Sequence, residues 1–129
     1  KMDRVLVDAP CSGLGTLRRN PDLKWRQTPD TVAALARTQA AILDSAARLL
    51  KPGGRLVYAT CSLLREENED VAAAFGAAHP DFIPLDAAEA LARAQVEGAA
   101  GLCDGGHLRL WPHRHHSDGF FAAVWERRA

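Results

Sequence analysis

Apolar residues along this chain occur in two kinds of run, and their succession predicts the architecture. Arg4-Val5-Leu6-Val7-Asp8 is continuous and β-branched rather than alternating, which predicts a strand buried on both faces in a parallel sheet. The next pattern has helical spacing: Val32, Leu35, Ala36, Ile42, Leu43, Ala46, Leu49 and Leu50 share one face, with Arg37, Asp44, Arg48 and Lys51 opposite. Thr28-Pro29-Asp30 marks its start with an N-cap, a proline at the first helical position and an acid in the first turn. Lys51-Pro52-Gly53-Gly54 is read as the helix stop and the turn into a second continuous run, Arg55-Leu56-Val57-Tyr58-Ala59-Thr60. Strand, helix and strand in succession make a βαβ unit with a right-handed crossover.

A second helix is expected from Arg65 to Ala78, with Val71, Ala74, Phe75 and Ala78 inward. Glu66, Glu67, Glu69 and Asp70 at its start suit the helix dipole. Pro84 to Gly106 is rich in alanine and glycine, with a short helix near Ala87–Ala94. His107–Trp111 and Gly119–Trp125 read as two final strands, and the short link "PHRHHSD" makes them an antiparallel pair. The fold class is therefore α/β: a parallel βαβ unit plus a terminal antiparallel strand pair, without internal repeats or a low-complexity linker.

Composition narrows the function classes. The chain has 129 residues, 47% hydrophobic and 25% charged, with formal net charge zero, which suits one domain. A neutral molecule exerts no overall attraction on nucleic acid, so an RNA role has to rest on a local patch. No apolar run approaches the ~20 residues of a membrane span, and Lys1-Met2-Asp3-Arg4 does not read as a signal peptide. Cys11, Cys61 and Cys103 are an odd set with long gaps, which argues against a disulfide framework or zinc site and for a reducing, cytoplasmic setting. Lys1 precedes Met2 and a strand already in stride, so this is expected to be the back portion of a longer protein.

In open α/β sheets, ligands bind beyond the carboxyl ends of the strands. Asp8-Ala9-Pro10-Cys11-Ser12 and Thr60-Cys61-Ser62 both lie there. Neighbouring strands run ~4.8 Å apart, so Cys11, Cys61 and the Asp8 carboxylate are expected to face one cleft. A thiolate is a strong nucleophile for an electron-poor ring carbon, and Cys61 lies ahead of a helix whose N-terminus favours the thiolate, although nearby glutamates oppose it. A second thiol can help undo the adduct. Asp8 can polarise the ring or hold a cofactor, and Ser12 and Ser62 can hold loop backbone or cap the next element. Cys103 has no such context. His113, His115 and His116, with His107 nearby, lack the spacing of common zinc sites, so no metal site is assigned. Phe120 and Phe121 are expected in the core, Asp118-Gly119 in a turn, and Trp25 as an anchor for its loop.

Together, "DRVLVDAPCSGLGTLRRNPDLKW", "LLKPGGRLVYATCS", "ENE" at Glu67-Asn68-Glu69 and "DGFF" at Asp118–Phe121 resemble the Sun/Fmu (RsmB-type) and NSUN family of RNA 5-methylcytosine methyltransferases. The likeness runs over nearly the whole chain and is weakest from Ala78 to Gly106. It implies the C-terminal portion of a Rossmann-like, S-adenosylmethionine-dependent catalytic domain. It implies that Cys61 attacks carbon 6 of a cytosine, that carbon 5 takes the methyl group, and that Cys11 assists product release. Asp8 would bind the base edge and, with Pro10, border the cofactor. Arg18, Arg19 and Lys24 become RNA-contact candidates, with 16S ribosomal RNA as the expected substrate and transfer RNA as the alternative. The family's glycine-rich S-adenosylmethionine loop lies upstream of these motifs and is absent here, so the cofactor site is expected to be incomplete and this stretch alone to bind S-adenosylmethionine weakly or not at all. The truncated sheet edge is expected to allow self-association. Rival readings are an amino-group methyltransferase, which usually has Asn/Asp-Pro-Pro-Tyr/Phe where this chain has Asp8-Ala9-Pro10-Cys11, and a non-catalytic RNA-binding or assembly module. A thiol redox role ranks last, because fifty residues separate the cysteines.

Overall fold

The two continuous apolar runs lie side by side in parallel, as their composition requires. The computed structural model describes residues 1–17, 19–20, 22, 27–95, 98–112 and 118–128. Strand β1 (Met2–Asp8) is followed by helix α1 (Pro29–Ala47), strand β2 (Leu50–Thr60) and helix α2 (Glu69–Ala78). Then come β3 (Phe82–Leu85), α3 (Ala87–Arg93), β4 (Cys103–Asp104), β5 (His107–Leu110) and β6 (Phe120–Arg127). The sheet order is β1-β2-β6-β5-β4, with β3 also paired to β6. β1 and β2 are parallel, from Arg4 beside Arg55 to Asp8 beside Ala59. β6 runs antiparallel to β2, placing Phe121 opposite Thr60.

The expected terminal pair is present, with Arg109 opposite Phe121. β5 takes the first half of that edge of β6, and β3 takes the second half, from Leu85 beside Val124 to Phe82 beside Arg127. β3 was not expected. Its proline and its four-residue length hide the strand pattern, and what holds it is Phe82, 4% exposed, packed edge-on against Phe75 at 5.3 Å. Phe75 also meets Trp125 at 4.8 Å, so one aromatic group fastens α2 to the sheet.

Two boundaries and one burial differ from the sequence expectation. β2 begins at Leu50 and carries Lys51-Pro52-Gly53-Gly54 within it, as an irregularity rather than a turn between elements. Between paired positions, β1 advances from Met2 to Arg4 while β2 advances from Leu50 to Arg55. Glycine is needed at position 54 because a Cβ would lie 2.7 Å from Leu50 Cδ2 and 2.9 Å from the Lys51 carbonyl oxygen. Helix α2 begins at Glu69 rather than Arg65, leaving Glu66 and Glu67 outside its first turn. Leu6 is 67% exposed rather than buried on both faces. Val7 joins the core with Leu43 and Ala46, while Leu6 points to the other side of the pleat, which no described element covers.

Helix α1 starts as expected. The Thr28 hydroxyl accepts from the Thr31 N–H, the Thr31 hydroxyl accepts from the Thr28 N–H, and Pro29 opens the first turn. Leu43, Leu50, Leu56, Tyr58 and Phe121 are fully buried between the helices and the sheet. Gln39, a polar residue on the apolar stripe of α1, is also fully buried. It faces the carboxyl ends of β1 and β2.

Candidate active site

The β1–β2 ladder carries on past the end of β1 through the Ala9 N–H, which donates to the Ala59 carbonyl at 3.0 Å. The two chains then part, and each delivers a cysteine to the same point. Cys11 Sγ and Cys61 Sγ lie 3.4 Å apart, both half-buried. Convergence of the two thiols, expected from strand adjacency, is therefore met. Separation by fifty residues does not keep the cysteines apart: the chain returns to bring their sulfurs within hydrogen-bond distance.

The serines have definite work. Ser12 Oγ accepts from the Leu14 N–H at 3.3 Å and Ser62 Oγ from the Leu64 N–H at 3.0 Å, so each closes a tight turn after its cysteine. Their hydroxyls stand 3.4 Å apart. Beneath them is Glu67, fully buried. Its Oε2 accepts from the Ser12 N–H at 2.8 Å and from Gln39 Nε2 at 2.9 Å, and its Oε1 accepts from Ser62 Oγ at 2.6 Å. Gln39 Nε2 also donates to the Pro10 carbonyl at 2.9 Å. Asn68 Nδ2 donates to the Ser62 carbonyl at 2.9 Å, and the Tyr58 hydroxyl donates to the Glu67 carbonyl at 2.6 Å.

Two glycines staple the loops from the other side. The Gly15 N–H donates to the Cys61 carbonyl at 2.7 Å, and the Gly119 N–H donates to the Gly15 carbonyl at 2.6 Å. A Cβ on Gly15 would stand 2.4 Å from the Cys61 carbonyl oxygen; one on Gly119 would stand 2.9 Å from Gly15 Cα and 2.3 Å from Leu63 Cδ2. Gly119 is thus required for close approach, not for the turn conformation that "DG" suggests. Arg109, 5% exposed, donates from Nη2 to the Leu63 carbonyl at 2.9 Å, its guanidinium 4.5 Å from the centre of Trp111.

The electrostatics distinguish the thiols. Cys61 is pulled down to about 7, chiefly because Cys11 donates its S–H to it; its own backbone amide helps. Partial burial and the charges of Asp8 and Glu67 work against this. Cys11 is pushed upward by the same contact and by burial, so it stays protonated. The less deeply buried sulfur is therefore the thiolate, and the neighbouring thiol is its donor. The helix dipole is not the cause, because α2 begins eight residues beyond Cys61.

Asp8 is exposed at the end of β1. With Pro10, Val5, Leu6, Ile42 and Leu49 it lines an open hollow of about 470 Å3 beside the edge strand. Arg19 is exposed and bonded to Asp118, through Nε at 2.9 Å and Nη2 at 2.6 Å, clipping its loop to the "DGFF" segment. Arg18, Lys24, Trp25 and His113, His115 and His116 lie outside the described residues. Among the described residues no group of three potential ligands is arranged for a metal, and no helix is long and apolar enough to cross a membrane. Sequence reasoning assigned no role to Gln39, Gly15 or Arg109, and it read Glu67 as a helix-dipole acid and as part of the "ENE" motif without a contact. Gln39 carried a signal as an amide in an otherwise apolar helical stripe, and Gly15 and Glu67 lay within the motifs that carry the family resemblance.

The family described as 16S rRNA methyltransferase RsmB/F matches residues 1–126 of the chain. This chain belongs to that family. A relative from Synechocystis, named "Probable ribosomal RNA small subunit methyltransferase B", is 48% identical over 95% of the chain and 26% of its own length. The crystal structure of PH0851 superposes with a TM-score of 0.84 at 41% identity, covering 97% of this chain and 26% of that one. NSun6 from Pyrococcus horikoshii, solved with SFG, gives a TM-score of 0.71 at 29% identity over 96% of this chain and 29% of its own. The RsmB/F chain described here thus spans about a quarter of the length of these relatives. Its mixed sheet is part of the Rossmann-like class I methyltransferase fold that these neighbours share.

Proposed function

We propose that these residues form the C-terminal part of a catalytic domain that methylates carbon 5 of cytosine in RNA, with 16S ribosomal RNA as the substrate. The reading rests on one observation: the Cys11 and Cys61 sulfurs, delivered beyond the carboxyl ends of two adjoining parallel strands, lie 3.4 Å apart. Two sulfurs so placed suit bond formation by one and bond release with the other's help.

Cys61 S⁻ adds to carbon 6 of the base, and the carbon 5–carbon 6 π pair shifts onto carbon 5 and the ring. S-Adenosylmethionine, when bound, supplies an electrophilic methyl group to carbon 5. Transfer of the carbon 5 proton to water then re-forms the double bond and returns the carbon–sulfur pair to Cys61. Charge grows on the Cys61 sulfur as that bond breaks, and the Cys11 S–H is placed to stabilise it. Asp8 accepts from the amino edge of the base. The hollow beside β1 fits one rim of a cofactor site, since its lining combines apolar side chains such as Val5, Leu6 and Ile42 with Pro10, Ser45 and the Asp8 carboxylate. Arg18, Arg19 and Lys24 contact the RNA backbone. The free thiols suit a reducing, cytoplasmic setting.

Trapping on RNA with 5-fluorocytosine at the target position tests the reading in the intact protein. Cys61→Ala should give no denaturant-resistant adduct. Cys11→Ala, given ordinary cytosine RNA and S-adenosylmethionine, should accumulate an adduct that persists. Equal adduct levels in both variants would refute this division of labour, and absence of any adduct in the wild type would favour methylation of an amino group.

A further inference from the structure

We propose that Glu67 is a positioning residue whose two carboxylate oxygens set the separation of Cys11 and Cys61. The inference rests on the covalent reading of the two cysteines given above.

Each oxygen holds one cysteine loop. Oε2 takes the N–H of Ser12, the residue after Cys11, and Oε1 takes the hydroxyl of Ser62, the residue after Cys61. Gln39 reinforces the first arm, since its single amide nitrogen bonds both Glu67 Oε2 and the carbonyl of Pro10, the residue before Cys11. Cys11 is therefore fixed on both sides through one carboxylate and one amide. The carboxylate is itself anchored, because the Tyr58 hydroxyl on β2 holds the Glu67 carbonyl and Asn68 holds the Ser62 carbonyl.

A fully buried carboxylate is costly to desolvate, and a neutral side chain would be the cheaper filler for this space. Retaining three acceptor contacts on two oxygens from one rigid planar group is what a carboxylate offers here and a hydroxyl or methyl does not. Its charge works against ionisation of Cys61, so its contribution is geometric rather than electrostatic. That opposition yields a signature that a merely structural residue would not show.

The test uses the intact protein and the variants Glu67→Gln and Ser62→Ala. Three quantities are read: RNA affinity, the rate of adduct formation on 5-fluorocytosine RNA at saturating RNA, and the pH profile of iodoacetamide alkylation at Cys61, resolved by peptide mass. In Glu67→Gln, the adduct rate should fall by about tenfold or more, the order expected when a reacting group moves by a fraction of an ångström. RNA affinity should stay within about twofold, and the alkylation midpoint should move to lower pH. Ser62→Ala, which removes one arm, should slow the adduct by a smaller factor and decides the question if Glu67→Gln does not fold. A folded Glu67→Gln with the wild-type adduct rate, or a loss that follows RNA affinity alone, would overturn the inference. Trapping that survives Cys61→Ala would instead overturn the covalent reading itself.

Discussion

Gly15→Ala should disable the site without touching a reacting group. Gly15 has no left-handed φ, so alanine suits its backbone, and the effect is one of space alone. The added Cβ would lie 2.4 Å from the Cys61 carbonyl oxygen and 2.5 Å from the Gly119 carbonyl oxygen, where ordinary contact begins near 3.4 Å. About 1 Å has to be found, and the obstructing atoms are backbone, which cannot rotate away. Moving them stretches two hydrogen bonds, Gly15 N–H to the Cys61 carbonyl and Gly119 N–H to the Gly15 carbonyl. Overpacking costs about 1–3 kcal/mol, and each lost bond adds about 1 kcal/mol. A destabilisation of about 3–5 kcal/mol results if both bonds go. A Cys61 displaced by about 1 Å should also form the pyrimidine adduct about a hundredfold more slowly per folded molecule. Thermal unfolding and single-turnover trapping on 5-fluorocytosine RNA measure the two effects. Gly76→Ala is the control: it lies in α2 with nothing within 4 Å of the added Cβ and should stabilise by about 0.5–1 kcal/mol. Unchanged melting and an unchanged adduct rate in Gly15→Ala would refute the claim that the three loops are stapled at this point.

Alkylation of Cys61 should rise with a midpoint near pH 7 in the wild type. In Cys11→Ala the thiolate loses its S–H donor, so the midpoint should move up toward the ordinary thiol value of 9.0, and the rate at pH 7 should fall by at least about tenfold. An unmoved midpoint would show that Cys11 is not the donor. Hydrogen peroxide should oxidise the Cys61 thiolate to a sulfenic acid that condenses with the Cys11 thiol to a disulfide, with loss of water, because the sulfurs already lie 3.4 Å apart. Peptide mapping should find that bridge and not one to Cys103, and thiol reduction should restore adduct formation. Arg19→Ala should lower the slope of log RNA affinity against log salt by about one. An unchanged slope would leave Arg19 only its clip to Asp118.

Periodicity along the chain was enough to specify β1, α1 and its cap, the antiparallel ending, and the delivery of two cysteines to neighbouring strand ends. Those features depend on local spacing and on the rule that adjacent parallel strands share a carboxyl edge, and both are written in the order of residues. Other features came only with the tertiary structure. Phe82 holds a strand whose own sequence hardly favours one, since its energy comes from Phe75 and from pairing to β6. Glu67 looked like a helix-dipole acid; three contacts from loops far apart in sequence make it the brace beneath both cysteines. Which sulfur ionises was likewise decided by distance and burial, because a thiol titrates according to the donors and charges that folding brings near it, and no order of residues records those.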